Sequence, residues 1–174
     1  MADAVVVAPA IALRPATVRD AAAIGEIWNR EVRDTEATTD TETRDVAAQR
    51  AWLAGRSADH PVVVAVRGAE VLGFGALSPY RSKPAFRATV EDSVYVKRGA
   101  RGGGVGTLIL ARLVELARER GHHSVLARIT SGNAPSLRLH ERLGFELAGV
   151  ERQTAFKLGR WLDVVTMQRL LDAS

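Results

Sequence analysis

The 174-residue chain contains no cysteine. Disulfides, thiolate-held metals and a cysteine acyl-enzyme are therefore excluded. Histidine is scarce too: His60, His122, His123 and His140 are the full set. None of them stands at the i, i+4 spacing of a helical zinc pair, so no metal is expected. The adjacent His122 and His123 would point to opposite faces of an extended segment. Aromatics make up only 5% of the chain, and no basic block is interleaved with them, which disfavours a nucleic-acid partner. Long apolar runs are also missing. Val5-Val6-Val7 is short and follows Asp3 where a secretory leader would be basic, so a cytoplasmic protein without a membrane span is expected.

What is present suits one folded domain: 47% apolar and 25% charged residues are ordinary for a globular chain of this length. Lys and Arg number 24 against 20 Asp and Glu, a net charge of +4. That excess fits either an anionic partner, such as a nucleotide-bearing cofactor, or a solvated arginine-rich surface.

Met1–Ala10 reads as a loose tail, and residues 11–174 as a single domain. Ile11–Arg14 reads as a strand. Thr17-Val18-Arg19-Asp20 resembles a capping box opening a helix through Ile24, Ile27, Trp28 and Val32. A second helix is expected over Arg44–Gly55, after a polar loop at Asp34–Thr43. Val62–Val66 and Val71–Leu77 flank a turn at Arg67-Gly68-Ala69-Glu70 and read as a hairpin. Thr89–Val96 is a third long strand. Val105–Arg120 has helical periodicity and stops at Gly121. Ser124–Ile129 reads as a strand and Ala134–Leu143 as a helix, with Asn133 as N-cap and Gly144 as a left-handed stop. Strands at about Glu146–Arg152 and Val164–Leu170 end the chain, with a turn at Lys157–Asp163. The order β-α-α-β-β-β-α-β-α-β-β makes an α/β domain with a mixed sheet.

The strongest local signal is Arg101-Gly102-Gly103-Gly104-Val105-Gly106-Thr107, between a strand and a helix. Glycines there allow close backbone approach and positive φ, and the helix presents unpaired N–H groups and the positive end of its dipole. A pyrophosphate suits such a site, and a flexible turn is the plainer alternative. The loop lacks the lysine of a P-loop, and Thr107 occupies the third glycine position of a dinucleotide fingerprint. What remains is an Arg-x-x-Gly-x-Gly form.

Val94-Tyr95-Val96, that loop, and Asn133-Ala134-Pro135-Ser136 running to Leu143-Gly144-Phe145 resemble the acetyl-CoA signature of the GNAT N-acetyltransferases. The resemblance spans Ile11 to Leu170. It is more specific to the branch acting on phosphinothricin, methionine sulfoximine and methionine sulfone, through Thr89–Val96, Ser131–Ser136, Leu139–Phe145 and Phe156–Asp163. It implies a central mixed sheet of six to seven strands flanked by about four helices, with two parallel strands splaying apart to form the acetyl-CoA cleft. Acetyl-CoA would lie along Val94, Tyr95 and Val96. Its pyrophosphate would lie on Arg101, Gly102, Gly103, Gly104, Val105, Gly106 and Thr107, with Asn133 and Ser136 alongside.

An amine titrates near about 8 and attacks a thioester only when neutral, so a base is needed. The resemblance makes Glu91 that base, against the alternative of a salt-bridged strand glutamate; Asp92 faces the other way and is a weaker candidate. His140 stands where many relatives carry a tyrosine acid, and would protonate the departing thiolate or orient the thioester; a packed helix histidine is the alternative. Tyr95 reads as a wall residue. A backbone N–H, such as that of Val94, would meet the developing oxyanion.

The resemblance further implies an acceptor loop at Ser78–Thr89, where Arg81, Lys83, Phe86 and Arg87 would hold a carboxylate or phosphinate-like group, unless they form only a solvated basic loop. Where relatives place apolar residues after the first helix, this chain has Ala37-Thr38-Thr39, so Thr38 and Thr39 imply a smaller or more polar pocket. The expected reaction is acetyl transfer to a small amino-acid-like amine. Acetylation of a protein N-terminus or lysine, or acyl-CoA binding without catalysis, are the alternatives. The branch also implies a homodimer with Arg160-Trp161 near the interface.

Overall fold

A computed structural model describes residues 10–171; apart from Ala10, the tail expected at Met1–Ala10 lies outside them. The strands are β1 (Ala12–Pro15), β2 (Val62–Arg67), β3 (Glu70–Pro79), β4 (Thr89–Val96), β5 (Ser124–Thr130), β6 (Glu146–Lys157) and β7 (Arg160–Leu170). The helices are α1 (Ala21–Asp34), α2 (Val46–Ala54), α3 (Val105–Glu119) and α4 (Ala134–Arg142).

β2 and β3 are buried almost end to end, because helices cover both faces of the sheet there. On one face Ile24 and Trp28 of α1 and Leu53 of α2 pack with Val64 and Phe74. On the other, Ile109 and Leu113 of α3 pack with Val90 and Val125. The fit of α3 is close: a Cβ on Gly75 of β3 would lie 2.4 Å from Ile109 Cγ2. The seven strands run in the order β1-β2-β3-β4-β5-β7-β6. β4 and β5 form the parallel pair, and the other neighbours are antiparallel.

The element order agrees with the sequence reading, with two corrections. The Thr17 capping box is present, but it opens a 3₁₀ turn over Val18–Asp20 that leads into α1. The last hairpin is longer than expected. The turn placed at Lys157–Asp163 shrinks to Leu158-Gly159, with φ of 49° and 79°, and Phe156 pairs with Trp161 across it. β6 is exposed along most of its length, so its residues carry little of the apolar alternation that reveals a strand.

The polar segment between α1 and α2 has no regular structure, yet it is fastened. Asn29 donates to the Arg44 carbonyl at 2.7 Å and accepts from its N–H at 2.9 Å. Lys157 donates to the Thr38 carbonyl at 2.7 Å, Thr130 Oγ1 donates to the Glu36 carbonyl at 2.7 Å, and Arg160 pairs with the Glu36 carboxylate. These bonds hold residues 36–40 over the centre of the sheet.

Candidate active site

The ladder between β4 and β5 is short. Thr89 pairs with Ser124, Val90 with Val125 and Glu91 with Leu126. Beyond Glu91, β4 stays paired to β3 as far as Val96, and β5 to β7 as far as Thr130. The two parallel strands therefore part while each remains anchored on its far side. Between them lies a cavity of about 730 Å³, within the range of small-molecule and cofactor sites.

Strand alternation gives this cavity two walls of different character. Val90, Val94 and Val96 of β4 face the α3 side, whereas Tyr95 faces the α1 side and stacks on Phe74 with ring centroids 5.2 Å apart. Glu91 shares the Tyr95 face, which Ala37, Thr38, Thr39 and Asp40 also line. Burial raises the Glu91 carboxyl above the ordinary carboxylate range, and Arg128 of β5 opposes the shift. Arg128 lines the same cavity and pairs with Glu151 at 2.7 Å, both side chains being partly solvated.

Asp92 turns to the α4 side and is buried against His140, with Nε2 3.1 Å from Oδ1. His140 Nδ1 is 2.8 Å from the Ser136 carbonyl, and Phe145 meets the ring edge-on at 5.0 Å. Burial alone would lower the His140 pKa; hydrogen bonding and charge from Asp92 outweigh it and raise it. Asn133 caps α4 by accepting from the Ser136 N–H at 3.3 Å.

The cavity continues to the N-terminus of α3. Gly104 is the N-cap, at φ +80°, and Gly102 has φ +81°. Among the described residues no side chain caps this helix, which leaves its first N–H groups available to an anion. Glycine suits both positions because L side chains are strained at such φ. The Arg101 side chain is engaged elsewhere: it reaches buried Glu31 of α1 at 2.7 Å and the Val96 carbonyl at 3.2 Å. It braces the loop, so an anion at this site would meet backbone groups.

Of the residues named from sequence, Glu91, His140, Val94, Tyr95, Val96, Arg101, Gly102, Gly104, Val105, Gly106, Thr107, Asn133, Ser136, Thr38 and Thr39 all line the cavity. Gly103 does not. Neither do Arg81, Lys83, Phe86 and Arg87, which precede the part of β4 that splays; Arg81 instead stacks over Tyr80 and Phe86. Sequence reasoning passed over Arg128, and weighed Asp92 only as a weaker base and not as a partner of His140. An arginine inside the otherwise apolar run Val125-Leu126-Ala127-Arg128-Ile129 was a signal for the first. The Asp92–His140 contact joins residues 48 positions apart and left no local trace.

Among the described residues, no helix is long and apolar enough to cross a membrane, and no cluster of metal-ligating side chains occurs.

The Acetyltransferase (GNAT) family model matches residues 23–145. An L-methionine sulfoximine/L-methionine sulfone acetyltransferase of Pseudomonas paraeruginosa is 43% identical over 92% of this chain and 94% of its own. A phosphinothricin N-acetyltransferase of Streptomyces coelicolor is 36% identical over 92% and 96%. Among solved structures, a Salmonella typhimurium acetyltransferase with its cofactor acetyl-CoA superposes with a TM-score of 0.91 at 40% identity, covering 95% of this chain and 96% of that one. A ribosomal-protein-alanine N-acetyltransferase from Brucella melitensis gives 0.89 at 42% identity, covering 92% and 99%. A family match over most of the chain, a split parallel pair and an uncapped glycine-bound helix all agree: the chain belongs to the GNAT acetyltransferase family.

Proposed function

We propose that the protein transfers the acetyl group of acetyl-CoA to the amino group of a small amino-acid-like acceptor of the methionine sulfoximine, methionine sulfone or phosphinothricin type. The observation that carries this reading is the position of Glu91. It is the last β4 residue paired with β5, with a base-like environment on one side and the opening cleft on the other.

The residues present fit acetyl-CoA. The unpaired inner edges of β4 and β5 suit the amides of its pantetheine arm. The N–H groups of Val105, Gly106 and Thr107, with Gly102 and Gly104, suit its pyrophosphate. When bound, acetyl-CoA supplies the activated acyl group. Glu91 accepts a proton from the acceptor ammonium; a carboxyl held above its usual range is better matched to that task near neutral pH. A backbone N–H of the splayed part of β4, that of Val94 in our reading, meets the negative charge growing on the thioester oxygen. The new N–C bond forms, the attacking nitrogen gives up its second proton to solvent, the C–S bond breaks with its electrons on sulfur, and His140 supplies the proton that the sulfur takes up. Direct transfer of this kind needs no cysteine.

Thr38 and Thr39 form a polar wall for the acceptor side chain, and Arg128 offers its guanidinium to the acceptor's carboxylate or phosphinate-like group. Arg81, Lys83, Phe86 and Arg87 then act outside the cavity, at its approach. The Brucella relative favours a second reading, acetylation of a protein N-terminus. The fastened 36–40 segment supports the smaller acceptor, because it narrows the Glu91 side of the cleft.

We further infer a homodimer through the last hairpin, where Phe156, Leu158 and Trp161 are more than half exposed and form the kind of apolar patch that marks an interface. A cytoplasmic location fits the cysteine-free composition.

Thiol release from acetyl-CoA, followed with each amino acid analogue, with an alanine-ending peptide and with no acceptor, tests the proposal. Turnover with an analogue and loss of it in Glu91→Gln are expected. Turnover with the peptide alone would move the protein to the second reading.

A further inference from the structure

Asp92 is the nearest neighbour of Glu91 in sequence, yet it takes no part in the reaction as set out above. It is 6% exposed, its Oδ1 lies 3.1 Å from His140 Nε2, and its Oδ2 is buried without a hydrogen-bond partner among the described residues. His140 is 3% exposed.

The other end of the imidazole decides the proton count. Nδ1 lies 2.8 Å from the Ser136 carbonyl, with the Ser136 hydroxyl farther off at 3.4 Å. A carbonyl oxygen only accepts, so Nδ1 carries a hydrogen. A neutral ring with its hydrogen on Nδ1 would turn the Nε2 lone pair toward a carboxylate oxygen, two acceptors facing each other. The contact is satisfied only when a second proton lies between Nε2 and Oδ1.

We propose that Asp92 and His140 hold one proton between them where β4 and β5 part, with Asp92 as the positioning residue that keeps the imidazole doubly protonated. The proposal rests on the reading of His140 as proton donor to the departing sulfur, and it explains how a buried histidine serves that role. An unpaired histidine in so dry a place would shed its proton; the Asp92 carboxylate reverses that preference.

The surroundings leave this pair to itself. From β4 the facing group is Asp92, while Glu91 belongs to the opposite face of the strand. On α4 the charged neighbours Arg138, Glu141 and Arg142 are exposed. Phe145 covers the ring edge-on, and Arg169 of β7 reaches the Leu143 carbonyl at the end of α4. Both Asp92 and His140 line the cavity, so the pair borders the cleft that the thioester would occupy. When sulfur takes it, a neutral ring and an ionised Asp92 remain, and solvent returns the proton before the next turnover.

Nitrogen-15 spectra of the histidine rings in the intact protein, recorded across pH, test this without catalysis. The His140 ring is expected to stay doubly protonated above the ordinary histidine range near about 6.5. In Asp92→Asn that titration is expected to move toward acid by about one unit or more, and the alkaline limb of the kcat/KM profile to move with it. A wild-type ring already neutral at about pH 7, or an Asp92→Asn ring titrating as in the wild type, overturns the proposal. The wild-type spectrum decides this even if the variant folds poorly. His140→Gln separates the two layers of argument. Full activity in that variant removes the donor role, while the spectra still report whether Asp92 sets the charge of the ring.

Discussion

Glu91 and Asp92 are adjacent carboxylates on one strand, and the fold treats them in opposite ways. Glu91 faces the partly open α1 side, with no hydrogen-bonded side-chain partner among the described residues, burial raising its pKa and Arg128 as the counterweight. Asp92 faces the α4 side, where it is closed off from water and bonded to a histidine. The pleat puts successive side chains on opposite faces of the sheet, so one residue of register separates a group poised to exchange a proton with a ligand from one bound to a protein partner. Chemical type does not distinguish them. Environment does.

The comparison is broken most severely by Glu91→Gln. If Glu91 is the base, turnover falls by about 10²- to 10⁴-fold, while acetyl-CoA binding measured by calorimetry is unchanged. The pKa direction adds a second check. A carboxyl whose folded pKa lies above its unfolded value binds its proton more tightly when folded. Its favourable contribution is present below the unfolded pKa and is lost as pH rises through the folded one. The glutamine variant should therefore melt at an equal or higher temperature than the wild type near neutral pH, and a lower one would contradict a strained Glu91.

Asp92→Ala should show the reverse balance. Removing one partner of a buried pair typically costs about 3 kcal/mol, which urea unfolding would register, and a loss below about 1 kcal/mol would show the pair to be weakly coupled. Arg128→Ala probes the open face more gently. Loss of a charged hydrogen bond to the acceptor, about 1.5 kcal/mol, raises KM for a carboxylate-bearing acceptor about tenfold. The same acceptor without its carboxylate should be unaffected, and equal effects on both would remove the anchoring role. Gly104→Ala is expected to be mildest. Its φ of +80° strains an alanine by roughly 1 kcal/mol, weakening acetyl-CoA binding several-fold with little change in turnover at saturation.

Much of this site was legible in advance because its cofactor side is built from local pattern. Glycines at Gly102 and Gly104, an uncapped helix start and Asn133 at the next helix are all defined within a few residues of sequence. The acceptor side was harder to read. Arg81, Lys83 and Arg87 were attractive as cations in a loop beside the catalytic strand, but the cavity opens after Glu91, and they lie before it. Arg128 lies where the strands part, and only the pairing pattern shows that it shares a wall with Glu91.

By itself the sequence determined the order of elements, the glycine loop and the placement of two carboxylates on opposite faces of β4, since each follows from backbone geometry or short-range periodicity. Tertiary structure alone decided where the β4–β5 ladder stops, that Arg101 braces Glu31, and that His140 meets Asp92. Those outcomes depend on contacts between residues 35 to 70 positions apart. No local propensity encodes such contacts; they arise only when the packing of the helices on the sheet brings the partners together.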